Sequence, residues 1–155
     1  MVKIDHNLDG IEHINVYAMG KTSFGRFFSN MSDTPIVLPQ LGSFRTIEGL
    51  WYYLRNQDDR FRTLSGFEVK KLGKTLPERR LPDEIFRYII RNAIIQKAKK
   101  HGGIELCQDP QYQNLPLKHY LVYGRDHPNP KIIDITERFQ WWLDIIDEIR
   151  TRANK

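Results

Sequence analysis

From Arg45 to Arg55 the chain places Ile47, Leu50, Trp51 and Leu54 at the three- and four-residue spacing of one helical face. Thr46 precedes them as an N-cap, its hydroxyl able to accept from a free N–H of the first turn. Off that apolar face, Glu48, Tyr52 and Arg55 share an edge, so a carboxylate, a phenol and a guanidinium project along one side of the helix.

The same patterning predicts the remaining elements. Ile11–Ala18 has the partial alternation of a strand, Gly20–Gly25 reads as a polar turn leading into Phe27-Phe28-Ser29-Asn30, and Ile36-Val37-Leu38 as a second short strand. Ser65 and Glu68 form a capping box for a helix from Ser65 to about Leu72, with Gly73 as a left-handed stop. Pro82, Asp83 and Glu84 open the longest helix, which carries Phe86, Ile89, Ile90, Ala93, Ile94 and Ala98 on one side. Lys97, Lys99, Lys100 and His101 form its cationic end before Gly102-Gly103. Gly103–Pro116 reads mostly as loop, with a short helical turn around Ile104–Cys107.

His119–Tyr123 and Lys131–Asp134 flank Gly124–Pro130 as a hairpin. Phe139, Trp142, Leu143, Ile146 and Ile149 then repeat at helical spacing, leaving Arg152–Lys155 as a frayed tail. The pattern predicts an α+β fold: a single mostly helical domain over residues 1–155 with a small antiparallel sheet. No repeat or composition break divides it.

Composition narrows the chemistry. Lys plus Arg exceeds Asp plus Glu by 24 to 19, a net charge of +5 that favours anionic partners such as nucleic acid or phosphorylated small molecules. The single Cys107 excludes an internal disulfide, and together with the lack of a leader-like or membrane-spanning apolar run it points to a cytoplasmic setting without membrane association. His6, His13, His101, His119 and His127 lack metal-ligand spacing, and no phosphate-binding glycine loop or nucleophile elbow occurs, so no metal or cofactor is expected.

Glu48 is the catalytic candidate. An anion in the first turn of a helix is favoured by the dipole and could act as base, nucleophile or cation stabiliser beside aromatic rings. The ordinary alternative is a helix-start carboxylate paired with Arg55. Arg26, Arg45, Arg55, Lys70, Lys71 and Lys74 gather in sequence around the same helices and could hold phosphate.

Phe28-Ser29-Asn30, Pro35-Ile36-Val37, Thr46-x-Glu48 opening an aromatic helix, and Leu72-Gly73-Lys74 together resemble the YbiA-like NADAR family, most closely over residues 24–74. The resemblance implies a YbiA-like fold and hydrolysis of a ribosyl C–N bond. The expected substrate is ADP-ribosylated guanine, as a nucleotide or on DNA. A phosphorylated riboflavin-pathway intermediate is the alternative, and so is binding of ADP-ribose derivatives without turnover. By the family's pattern Glu48 is its essential glutamate. Phe28, Ser29 and Asn30 fall on its Phe-Ser-Asn motif, Arg55 on its helix lysine, and Gly73 and Lys74 on its Gly-Arg. Trp51 and Tyr52 are the aromatic residues placed for stacking.

Four departures accompany the match. Gly49 stands where the family has histidine, Tyr52 where it often has glutamine, and Leu81-Pro82 where it has Asn-Trp. The family's Trp-Gly-Asp-Gly segment is replaced by residues 119–124, leaving His119, Asp126 and Asp134 as candidates for its polar group.

Overall fold

Hydroxyl side chains set the starts of three helices in the computed structural model, which describes residues 3–79 and 81–155. Thr22 accepts from the Gly25 N–H at 2.8 Å and opens α1 (Ser23–Phe28). Thr46 accepts from the Gly49 N–H at 2.9 Å and opens α2 (Ile47–Asn56). The Ser65–Glu68 capping box opens α3 (Gly66–Gly73) as predicted. The other helices are α4 (Asp83–Lys100), α5 (Gly103–Gln108) and α6 (Gln140–Ala153). The strands are β1 (Ile14–Asn15), β2 (Ile36–Leu38), β3 (Gly42–Phe44), β4 (Leu117–Lys118), β5 (Tyr120–Tyr123) and β6 (Lys131–Asp134). They pair two by two, β2–β3 and β5–β6 antiparallel and β1–β4 parallel. The fold class is α+β, as the pattern predicts.

The chain forms two compact units, one from the segment up to Ser29 with Gly103–Lys155, the other from Asn30–Gly102. In the first, the Phe24 ring packs 4.7 Å from Phe28 and 5.5 Å from Tyr112, and Trp142, Leu143 and Ile146 supply the buried face of α6. Arg150 is buried among them because its guanidinium donates to the carbonyls of Tyr112 at 2.8 Å and Leu115 at 2.9 Å, and to Asp147 at 2.7 Å. A buried charge is tolerated when it is paired and bonded in this way. Asn15 bridges to β5, its side-chain nitrogen donating to the Tyr120 carbonyl and its oxygen accepting the Tyr120 N–H, both at 3.0 Å.

In the second unit α2 packs against α3 and α4, and the β2–β3 hairpin lies beside α4. The Gln96 carboxamide bonds both backbone groups of Val37, at 2.7 Å and 2.6 Å, occupying a strand edge that lacks a neighbouring strand. Gly102, at φ 86, ends α4 in the left-handed region.

Several elements differ from the sequence pattern. The expected strand over 11–18 contracts to β1, because Asp9 draws that segment into loops by accepting the Asn15 and Lys21 N–H groups at 2.9 Å and 2.8 Å. Gly20–Gly25 holds the start of α1 rather than only a turn, Thr22 being a cap that a glycine-rich stretch conceals. β3 is an unpredicted partner for β2. Lys97 is fully buried within the core of its unit rather than part of a solvated cationic end, and burial pushes its ammonium down to about 7. The tail is helical through Ala153, with the Asn154 side chain donating to the Cys107 and Arg150 carbonyls at 2.8 Å.

His13 is fully buried, its Nε2 lying 2.7 Å from the Tyr120 hydroxyl, and burial holds its pKa below the ordinary 6.5. The unfolded chain therefore binds the extra proton first, so stability is present above pH 6.5 and is lost as pH falls through and below it. Urea unfolding at stepped pH should show this decline in the wild type and a shallower one in His13→Gln.

Candidate functional site

The Glu48 N–H donates to the Asn30 carbonyl at 2.8 Å, which ties the first turn of α2 to the strand-ward loop that precedes β2. Its carboxyl is largely withdrawn from water. Desolvation pushes the pKa from 4.5 up to about 7, against the opposing pull of Lys70 and then Arg55. The sequence expectation of a dipole-stabilised anion is thereby corrected: first-turn stabilisation is typically about 0.3–1 kcal/mol, and burial outweighs it.

Tyr52, one turn along, stacks on Phe61 with ring centroids 5.7 Å apart and planes 30° apart. Phe61 comes from a single 3-10 turn, Asp59–Arg62, where the dense charge of residues 56–62 hides it in the sequence. Desolvation and the nearby Glu48 raise the Tyr52 pKa while Arg55 opposes them, so the phenol stays protonated at neutral pH and is available as a donor.

Two glycines make this geometry feasible. A Cβ on Gly73 would overlap the Tyr52 ring, and one on Gly49 would overlap the Phe61 carbonyl oxygen. Gly73 is the last helical residue of α3, outside the left-handed region, so close approach of Tyr52 replaces the stop role read from sequence. It is Gln57, at φ 58, that adopts the left-handed conformation, at the end of α2. Gly49 explains the missing histidine, since no side chain fits against Phe61 there.

Trp51 is buried edge-on to Phe86, centroids 4.8 Å apart, so it belongs to the core of the unit rather than to a stacking surface. Arg55 lies 5.6 Å from both ring centroids and donates to Glu78 at 3.2 Å. This pair is partly exposed, and such pairs contribute only about 0–1 kcal/mol, so a phosphate could displace Glu78. Lys74 is exposed at the C-cap of α3. Arg45 is held by Asp33 at 2.8 Å.

Phe28 and Ser29 end α1 in the first unit. Phe28 is buried against Phe24 and Phe27, and Ser29 is buried at the C-cap, its N–H donating to the Gly25 carbonyl at 3.2 Å. Of the distal candidates, the His119 ring packs on Phe139 and Trp142, Asp134 accepts the Thr136 N–H at 3.0 Å, and Asp126 lies exposed in the β5–β6 loop. Burial pushes the Cys107 thiol up to about 11, away from nucleophilic chemistry. Among the described residues no cluster of three or more His, Cys, Asp or Glu could hold a metal, and no helix is long and apolar enough to cross a membrane.

No family model and no curated protein matches the chain. The NMR structure of the Escherichia coli protein YbiA does, with a TM-score of 0.61 over 96% of this chain and 92% of that one, at 17% sequence identity. The fold is YbiA-like. Near-complete coverage of both chains makes the likeness to YbiA one of the whole fold rather than of a shared helix pair, and at that identity it speaks for fold alone.

The glycine contacts predict a ranking. Gly49→Ala must move backbone, whereas Gly73→Ala meets a side chain, so Gly49→Ala should be the more destabilising, by about 1–3 kcal/mol in urea unfolding. Equal, near-zero losses would show that both approaches relax freely.

Proposed function

We propose that this chain hydrolyses a ribosyl C–N glycosidic bond, with Glu48 as the catalytic carboxyl. The observation that carries the reading is the burial of the Glu48 carboxyl on the edge of α2 it shares with Tyr52 and Arg55, which a structural helix-start carboxylate would not need; that burial pushes its pKa up to about 7, a value that suits proton transfer near neutrality. The YbiA-like fold and the Phe28-Ser29-Asn30 and Gly73-Lys74 landmarks support the same reading.

In this mechanism the C1′–N bond breaks with its electron pair leaving on the base, and positive charge develops on the ribose ring. Ionised Glu48 stabilises that charge and takes one proton of the water whose hydroxyl adds to C1′, and that proton then passes to the base nitrogen that left with the electron pair, which regenerates the carboxylate. Tyr52 donates a hydrogen bond to the base, while Arg55 and Lys74 hold phosphate. The substrate class that fits best is ADP-ribose linked to guanine, on a nucleotide or on DNA, where the +5 charge aids engagement and release restores the unmodified base. A phosphorylated riboflavin-pathway intermediate is the second substrate, and its reaction uses the same groups.

The purified protein should release ADP-ribose from ADP-ribosylated guanine DNA, and Glu48→Gln should reduce the rate by about 100-fold or more, in the range typical of lost general acid–base catalysis. The variant should fold at least as stably above pH 7. A carboxyl whose folded pKa is raised stabilises the fold fully below the unfolded pKa of 4.5 and loses that contribution as pH rises through about 7, and glutamine has no charge to bury. An active Glu48→Gln enzyme overturns the assignment, and binding of ADP-ribose without release from either substrate makes the chain a binding module.

The rate should rise with pH through about 7, because the ionised carboxyl is the working form. Lys70→Met removes the larger of the two cationic influences on Glu48 and should move that rise to higher pH. An unmoved profile would remove Lys70 from the account.

A further inference from the structure

The outward side of α3 joins an exposed aromatic ring to a row of cations. Counted at about 100° per residue, Gly73, Lys70, Lys74, Phe67 and Lys71 succeed one another around the helix over an arc of about 160°. Lys74 belongs to the row because the C-cap keeps a helical backbone, at φ −67 and ψ −18. Gly73 begins the arc against the Tyr52 ring, and Lys70 follows as the larger cationic influence on Glu48. The row therefore starts at the edge of the catalytic site and runs outward from it.

Phe67 is its unusual member, 63% exposed on a helix whose other side buries Gly66, Val69 and Gly73. Cations near a helix C-terminus are favoured by the dipole, which accounts for Lys70, Lys71 and Lys74 taken alone. It does not account for a phenyl ring left in water on the line they share. Glu68 borders the row about 60° beyond Lys71. It keeps its negative charge, accepting the Ser65 N–H at 3.1 Å with Arg45 acting on it, and so limits the surface on that flank. On the side of the site, Glu78 is paired with Arg55.

We infer, on the substrate reading above, that this side of α3 binds single-stranded DNA next to the modified nucleotide, Phe67 stacking on an unpaired base and Lys71 and Lys74 meeting phosphates. Stacking on an aromatic ring with lysines along the backbone is how single strands are held without sequence preference, and it accounts for the ring and the charge together. An acidic polypeptide would answer the charge alone. Duplex bases are already stacked on both faces, so the ring calls for a single strand. From Phe67 to Lys74 the helix rises about 10 Å, the length of two or three nucleotides at roughly 3.4 Å each.

Fluorescence anisotropy with an unmodified, labelled DNA oligonucleotide tests the surface without turnover. Saturable binding of the single strand is expected, about tenfold weaker in Phe67→Ala and restored in Phe67→Trp. Lys71→Gln should make its salt dependence shallower by about 0.7 in the log–log slope. The same sequence as a duplex, and polyglutamate of equal charge, should bind at least about tenfold more weakly. Phe67→Ala should also raise KM for ADP-ribosylated single-stranded DNA about tenfold while leaving kcat, and release from an ADP-ribosylated guanine nucleotide, unchanged. Oligonucleotide binding of this kind by a protein that releases nothing would uphold the surface and remove the hydrolase reading. Glu48-dependent release indifferent to Phe67, equal binding of duplex or polyglutamate, or no saturable binding would overturn the surface and leave the hydrolase reading in place.

Discussion

Phe61 and Tyr52 can stack because positions 49 and 73 carry no Cβ. The Phe61 carbonyl occupies the space a side chain at 49 would need, and the Tyr52 ring occupies the space at 73. These two close approaches involve positions 49 and 52 of α2, next to Glu48 and one turn beyond it, and pack α2 against its neighbours at the turn that carries it. The Glu48 carboxyl is desolvated, its pKa climbs to about 7, and the same surroundings keep the Tyr52 phenol protonated.

The site holds cations of different standing. Arg55 lies over Trp51 and Phe86 and bonds Glu78, so it is positioned before any ligand arrives, whereas Lys74 is exposed. Lys70 acts on the Glu48 carboxyl through its charge, with Arg55 behind it. Desolvation still exceeds both. A carboxyl shifted from 4.5 to about 7 represents up to about 3 kcal/mol disfavouring its charged form, at 1.36 kcal/mol per unit. Carrying such a group is destabilising at neutral pH, a pattern that perturbed groups at functional sites commonly show.

Much of this was legible in the sequence where one local rule decided the outcome. The Thr46 cap, the Ser65–Glu68 box, the apolar face of α2 and the β5–β6 hairpin each follow from spacing and capping within a few residues. What stayed hidden depends on partners distant in the chain. Phe61 lies in a charged run whose buried member only the fold reveals, and β3 is recognisable only through β2. Lys97 reads as a helix-end cation until α4 is packed. Gly73 illustrates the limit well, since its position was read correctly but its reason is an aromatic ring rather than a backbone angle. The resemblance singled out Glu48, whereas its raised pKa required burial that no pattern of residues displays.

The central claim is that Glu48 titrates near neutrality because its surroundings withhold water. A pH titration of the side-chain carboxyl carbon by NMR, assigned by comparison with Glu48→Gln, measures this without any substrate. The account predicts a midpoint of about 7. A midpoint at the ordinary 4.5 would contradict it and return Glu48 to the status of a solvated helix-start carboxylate.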